Sequence, residues 1–298
     1  MHLPATYTTR PLNLDDAQSV FEVMAAVEQE ALGHVDIELA DIVADWQRPS
    51  FDVTTSTLGV FQDEHLIAYG EYQGAERSDA AVHPDHTGRG LGTYVAHWIQ
   101  QKARERGASI VGMPVPQGSL GDALLTALGY HVRWTSWVLQ LPGGKTVPPR
   151  PLPDGYQVRQ AEPQELPELH DVAEDAFLEW SDRDRESLAD FEAETVLRPG
   201  FEPWMLRVVI DTAGRIAAVA TLVIDAAGEA YVSRLATRVD QRHRGLAQAL
   251  LIDAFAVGRE HGATTFGLST DSRTGALDLY RKVGMEVTDV WLHRAITL

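Results

Sequence analysis

Residues 238–251 read RVDQRHRGLAQALL and directly follow the apolar stretch AYVSRLAT at 230–237. The order is that of a strand, a tight basic turn around Gly245, and a helix of small and apolar residues. A helix entered from a glycine turn points unsatisfied backbone N–H groups at one spot, and its dipole adds positive potential there. Phosphates bind such places. Glycine suits a turn in which the backbone must come close to a ligand or take a positive φ. Arg242, His243 and Arg244 add side-chain charge. A similar stretch, HPDHTGRGLGTYVA, occupies residues 83–96, with Gly88, Gly90 and Gly92 and the single Arg89.

The two stretches belong to a longer repeat. Residues 82–130 align with 237–285 without a gap at a constant offset of 155. Arg89/Arg244, Gly90/Gly245, Leu91/Leu246, Gly107/Gly262, Gly112/Gly267, Leu124/Leu279 and Gly129/Gly284 are among the identical pairs. A register that matches turn glycines at both ends marks two copies of one domain, not a short-period solenoid. Between them QLPGGKTVPPRPLPDGY, residues 140–156, holds five prolines and three glycines and continues neither a helix nor a central strand. The expected boundaries are a first domain over 1–141, a linker over 142–151 and a second domain over 152–298.

Within each copy the same elements recur. TLGVFQDEHLIAYGEYQG and MLRVVIDTAGRIAAVATLVID predict hairpins, and a third strand leads into the basic turn. A helix follows, with Leu246, Leu250, Ala254 and Val257 at near-helical spacing in the second copy. A short strand, a short helix stopped by Gly129 or Gly284, and a last strand complete each copy. The fold class is α+β: two tandem domains, each a mixed, mostly antiparallel twisted sheet flanked by helices. Pro114 and Pro116 are unfavourable for a regular strand in the first copy.

Composition bounds the function. The 298 residues include no cysteine, which excludes disulfides, thiolate metal sites and a cysteine nucleophile. With 43 acidic against 25 basic residues the net charge is -18, the reverse of a nucleic-acid-binding footprint. No apolar run approaches the ~20 residues that span a bilayer. The N-terminal residues lack a basic region followed by an apolar core, so no signal peptide is expected. A cytoplasmic protein is expected, with no nucleic-acid or membrane partner, as a monomer or homodimer. His83 and His86 are spaced like metal ligands, but no carboxylate completes a set and no metal is expected.

The turn does not fit a Walker loop, because Gly-Lys-Ser/Thr is missing. It does not fit a dinucleotide fingerprint, because Thr93 stands where the third glycine belongs. LATRVDQRHRGLA instead matches the pattern L-A-V-x-P-x-x-R-x-x-G-x-A/G at Leu235, Ala236, Arg242, Gly245 and Ala247, and AAVHPDHTGRGLG matches it at Ala81, Val82, Pro84, Gly90 and Gly92, with Thr87 in place of the basic residue. With TGALDLYRKVGM some 35 residues later, this resembles the GNAT superfamily of acyl-coenzyme-A-dependent N-acetyltransferases. The duplication is similar to that of the mycothiol-synthase-like tandem acetyltransferases of actinobacteria. The resemblance covers nearly the whole chain.

The resemblance implies acetyl-coenzyme A as acyl donor and carries residue roles with it. Arg242, His243, Arg244, Gly245, Leu246 and Ala247 are expected to hold the pyrophosphate, with Thr237 and Val239 on the strand before them. That strand is expected to splay from its neighbour and pair with the pantetheine arm, the Leu235 N–H facing the thioester oxygen. Tyr280 takes the position of the family's tyrosine, whose hydroxyl protonates the departing thiolate. The family often has an asparagine near the start of the second helix; here Ser272 and Arg273 stand in that region. In the first copy Val82, Gly88, Arg89, Gly90, Leu91, Gly92 and Thr93 form the corresponding binding turn, but Leu125 replaces the tyrosine. Catalysis is therefore expected in the second copy, with the first non-catalytic.

The acceptor amine must be neutral to attack. Glu229 is the first candidate for general base, followed by Asp225, Glu174 and Asp175, with His170 and His293 as further candidates. In this family a segment such as WSDRDRESLADFEAETVLRPGFEPW, residues 180–204, covers the acceptor site, and its acidity favours a cationic or aminosugar acceptor. The expected function is acetyl transfer to the amine of a small molecule. A non-catalytic acyl-coenzyme A sensor or scaffold, and a protein Lys or N-terminal acetyltransferase, are the alternatives.

Overall fold

A computed structural model of the chain describes residues 3–298. Met1 and His2, the start of the segment expected to lack a leader, lie outside the described residues. The strands are β1 Thr8–Arg10, β2 Thr57–Gln62, β3 His65–Gly74, β4 Arg77–Val82, β5 Ile110–Pro116, β6 His131–Gln140, β7 Gln157–Gln160, β8 Leu206–Ile210, β9 Ile216–Ile224, β10 Glu229–Thr237, β11 Thr265–Asp271 and β12 Glu286–Thr297. The helices are α1 Ala17–Leu32, α2 Leu39–Trp46, α3 Val53–Ser56, α4 Leu91–Glu105, α5 Leu120–Ala127, α6 Leu166–Leu178, α7 Leu188–Glu194, α8 Leu246–Glu260 and α9 Leu277–Lys282. Among the described residues no helix is long and apolar enough to cross a membrane.

The chain forms two compact units. Unit 1 comprises residues up to Thr135 with Val290–Leu298, and unit 2 comprises Ser136–Asp289. The units and the sequence repeat do not share a boundary. The end of β6 belongs to unit 2, pairing antiparallel with β11 from Ser136↔Asp271 to Gln140↔Gly267. The end of β12 belongs to unit 1, pairing antiparallel with β5 from Trp291↔Pro116 to Thr297↔Ile110. Each half of the repeat thus gives its last strand to the sheet of the other half. The segment expected to be the Pro/Gly-rich linker, 142–151, lies inside unit 2.

In unit 1 the strands run β1-β2-β3-β4-β5-β12, and only β4 and β5 are parallel, joined at one bridge, Arg77↔Gly112. That parting explains how β5 tolerates prolines. The Gly112 N–H points to the β4 side, donating to Glu76 O at 2.9 Å. By alternation Pro114 and Pro116 face the same side, beyond the bridge, where no ladder needs their missing N–H. The strand therefore forms despite both prolines.

In unit 2 the order is β6-β11-β10-β9-β8-β7, with β10 and β11 parallel. Helices cover both faces, so the central strand β9 is apolar on both sides: Ile216 to Ala220 are all 0% exposed. One face packs on Leu246, Leu250, Ala254 and Phe255 of α8, the other on Leu169, Val172 and Ala173 of α6 and Phe191 of α7. Burying each such Leu or Phe contributes roughly 1.5–3 kcal/mol. Gly258 lets α8 lie against β10, since a Cβ there would sit 2.8 Å from that of Ala230.

Unit 1 carries a pair of like charges that titrates. Glu71 on β3 and Asp79 on β4 are direct cross-strand partners. Glu71 is buried and accepts from Trp46 Nε1 at 2.8 Å. Burial, with Glu71's charge second, pushes the Asp79 carboxyl up to about 8. Asp79 thus holds its proton more tightly in the folded chain than in the unfolded one. The resulting stability is complete below the ordinary carboxyl pKa and is lost as pH rises through about 8. Asp79→Asn keeps an oxygen for the Ala80 N–H, which donates to Asp79 at 2.7 Å. It is expected to raise Tm by about 4 °C or more near pH 9 and to change it little near pH 4. Thermal melts across that range check this; a difference that does not grow with pH contradicts it.

Candidate active site

The site of unit 2 begins where two strands part. β10 and β11 pair from Glu229↔Thr265 to Val232↔Leu268 and no further. Beyond Val232, after a bulge before Arg234, β10 pairs only with β9. On that side Arg238 N–H donates to Ala217 O at 2.9 Å. N–H directions alternate along a strand, so those of Leu235 and Thr237 face the gap. A cavity of about 1010 Å³ occupies it, lined by Val232–Thr237 on one side and Leu268–Asp271 on the other.

The basic turn around Gly245 closes one end. α8 starts after Gly245, whose φ is 82°, with no side chain capping its first N–H groups. These groups are unsatisfied by the helix and lie in the cavity wall, where Gly245, Leu246, Ala247 and Gln248 are found. His243 takes φ 63° where Gly88 of unit 1 takes 72°, so both turns are built on one backbone shape. Arg242 is held by two bonds to Glu179, at 2.7 and 2.6 Å, and its Nε reaches Thr237 O at 3.2 Å.

Tyr280 lines the cavity from α9 and is 7% exposed. Burial, with Tyr231 as second cause, pushes its phenol up to about 12. The hydroxyl therefore carries its proton at any ordinary pH. Its counterpart in unit 1, Leu125, is a buried core residue.

A carboxylate cluster forms another wall. Arg234 on β10 donates to Glu194 Oε2 at 2.8 Å and Thr195 Oγ1 at 3.0 Å, and stands 3.3 Å from Glu186 Oε2. Its guanidinium lies over the Phe191 ring at 4.8 Å. Glu186 is fixed through its backbone: its N–H donates to Glu174 Oε2 at 2.9 Å, and its carbonyl lies 3.1 Å from His170 Nε2. Burial pushes the Glu186 carboxyl up to about 7; Arg234 opposes this, while Glu194 and Glu174 add to it. Glu174 behaves in the opposite way. Burial pushes it up, but two bonds from Arg183 and the Glu186 N–H outweigh that and hold it below the usual range. One carboxyl is thus poised near neutrality beside a second that stays ionised.

Several expected residues meet in this cavity: Leu235, Thr237, Arg242, His243, Gly245, Leu246, Ala247 and Tyr280. Others do not. Glu229 lies at the far, paired end of β10, where Gln140 Nε2 donates to it at 3.1 Å and its side chain fills the space above Gly267. It cannot serve as the base there. Val239 is 65% exposed, because the strand ends at Thr237. Arg244 points to Tyr156, 3.3 Å away, and neither it nor the exposed Ser272 lines the cavity; Arg273 does, paired with Asp271 and lying over Trp180. Asp225 caps the β9–β10 turn and Asp175 pairs with Arg185. His293 belongs to unit 1, stacked on Trp134. Val82, Gly88, Arg89, Gly90, Leu91, Gly92 and Thr93 form the separate turn of unit 1. Sequence reasoning missed Glu186 and Arg234. Arg234 left a trace: at the repeat offset it replaces Asp79, a charge reversal within an apolar strand.

The parted parallel strands, the uncapped glycine turn and the buried tyrosine meet at one cavity. The acetyltransferase (GNAT) family model matches residues 16–117 and 166–285, and the chain belongs to that family. It carries the family's unit twice in tandem, and membership implies acyl-coenzyme-A-dependent N-acyltransferase activity. Similar solved structures include a GCN5-related N-acetyltransferase from Sphaerobacter thermophilus, at 24% identity and TM-score 0.75, covering 99% of this chain and 97% of that one. A tandem GNAT protein from the clavulanic acid biosynthesis pathway is similar at 16% identity and TM-score 0.74, covering 98% of each chain. Saccharomyces cerevisiae N-myristoyltransferase with bound myristoyl-CoA is similar at 12% identity and TM-score 0.71, covering 99% of this chain and 79% of that one. No curated protein matches the chain.

Proposed function

We propose that the chain moves the acetyl group of acetyl-coenzyme A to the amine of a small molecule, and that the chemistry takes place in unit 2. The observation that carries this is the convergence on one cavity of the uncapped turn, the free N–H of Leu235, the proton-bearing Tyr280 and the near-neutral Glu186. The N–H groups of Gly245 to Gln248 would hold the pyrophosphate. When bound, acetyl-coenzyme A supplies the activated acyl group. The Leu235 N–H would face its carbonyl oxygen, where charge develops during attack. Glu186 would take a proton from the amine nitrogen as its N–C bond forms, leaving a neutral amide nitrogen. Tyr280 would give its proton to the sulfur as the C–S bond breaks, and exchange with solvent would return a proton to Tyr280 and remove the one held by Glu186. Glu174, Arg183 and Arg234 position Glu186 and are not themselves proton carriers.

The acidity of the segment 180–204, where seven carboxylates stand against three arginines, supports a cationic acceptor such as an aminosugar, polyamine or amino acid. Unit 1 keeps the turn and lacks the acid, so in this reading it does not turn over substrate. Release of free thiol from acetyl-coenzyme A, followed against a panel of these amines, tests the proposal. Turnover with at least one small amine is expected. Tight coenzyme binding with no turnover on any acceptor, from any acyl donor, would replace this reading with a sensor or scaffold.

A further inference from the structure

The stretch between the two halves of the repeat reaches the anion turn. Residues 141–151 have no regular secondary structure, yet they are anchored on both sides of Arg150. Leu141 and Val147 are buried in the core under α8, and Leu152 packs against the same core. Gln248, in the first turn of α8, donates to Pro148 O at 2.8 Å. Pro148, Pro149 and Pro151 stiffen the backbone between these anchors. Arg150 is therefore carried on a fixed strap.

The strap sets the Arg150 side chain against Gly245. A Cβ built on Gly245 would lie 2.6 Å from Arg150 Cδ and would overlap Nε. The Arg150 side chain thus lies directly against Gly245, whose positive φ of 82° favours glycine. Five arginines line the cavity. Four are neutralised by carboxylates: Arg183 by Glu174, Arg234 by Glu186 and Glu194, Arg242 by Glu179 and Arg273 by Asp271. Arg150 has no carboxylate partner among the described residues. Among the described residues it is the cavity-lining arginine left without a carboxylate, whereas Arg244 beside it turns to Tyr156 and lies outside the cavity wall.

We infer that Arg150 is a diphosphate-binding residue of the coenzyme site, supplied by the segment that joins the two copies. The inference rests on the reading of this cavity as the acetyl-coenzyme A site. A planar guanidinium binds phosphate oxygens through paired N–H donors. The N–H groups of α8 bind others from the helix side. The diphosphate is then gripped between helix and strap, and the strap is a working part of the site.

The test compares wild type with Arg150→Ala; the side chain is exposed, so the fold is not at stake. Calorimetric titration with coenzyme A is expected to show about tenfold or weaker binding in the variant. The same gap is expected with dephospho-coenzyme A, which lacks the 3′-phosphate and keeps the diphosphate. With S-acetylpantetheine as donor, which has no phosphate, kcat/KM is expected to be equal in the two proteins. Equal coenzyme A affinities would overturn the inference. So would a gap that vanishes with dephospho-coenzyme A, which moves Arg150 to the 3′-phosphate, or one that persists with acetylpantetheine, which makes its role structural. Wild type that neither binds nor turns over acetyl-coenzyme A overturns the cavity assignment itself, an outcome distinct from these.

Discussion

Tyr280→Phe is expected to bind acetyl-coenzyme A almost as wild type does and to lose about 10²-fold or more in kcat. The ring is 7% exposed and packs in the apolar core with Leu246 and Val283. Phenylalanine keeps that packing and removes only the hydroxyl, so fold and coenzyme affinity should survive. What goes is the proton for the departing sulfur. Since burial holds the phenol up at about 12, the acid is already in its working form at every assay pH. The variant should therefore be slow across the whole pH range, without a shifted limb. Leu125→Met, at the matching position of unit 1, is the control and should leave kcat unchanged. A Tyr280→Phe rate within about threefold of wild type would remove the tyrosine from the mechanism.

Glu186→Gln is expected to lower kcat/KM by about 10²-fold and to abolish its acidic limb. A base must be ionised to accept a proton. With the Glu186 carboxyl pushed up to about 7, wild-type activity should fall as pH drops through about 7 and level off above it. Glutamine preserves size and an oxygen for Arg234, and Arg234 keeps its bond to Glu194 at 2.8 Å. The substitution thus separates proton transfer from positioning. The assay needs a weakly basic acceptor amine, with a pKa below about 6, so that the acceptor's own ionisation does not supply the limb. If Glu186 only holds Arg234 in place, the variant will change KM and keep the wild-type pH profile.

Local pattern carried much of this molecule. The hairpins β2–β3 and β8–β9, the strand–turn–helix of each copy and the glycine stops at 107, 129, 262 and 284 follow from spacing and turn chemistry. The exchange of last strands did not, because HVRWTSWVLQ and EVTDVWLHRAITL say that a strand forms and not which edge it joins. Pairing partners are chosen by tertiary packing. Glu229 misled for a geometric reason. It shares β10 with Leu235, but six residues of strand separate them by about 20 Å. Glu186 was hidden for the opposite reason. In a run of charges it differs from Asp182 and Asp184 only by burial and by its contact with Arg234, which the sequence does not contain. Arg150 was masked by its prolines, whose rigidity here serves to aim a side chain and not merely to separate domains.

The central claim is that the acyl donor lies in the parted strands of unit 2. A crystal structure with acetyl-coenzyme A bound tests it most directly. The account predicts the diphosphate on the N–H groups of Gly245 to Gln248, with the thioester oxygen about 3 Å from the Leu235 N–H. The coenzyme seated only on the Gly88–Gly92 turn of unit 1, with the cavity of unit 2 empty, would contradict it.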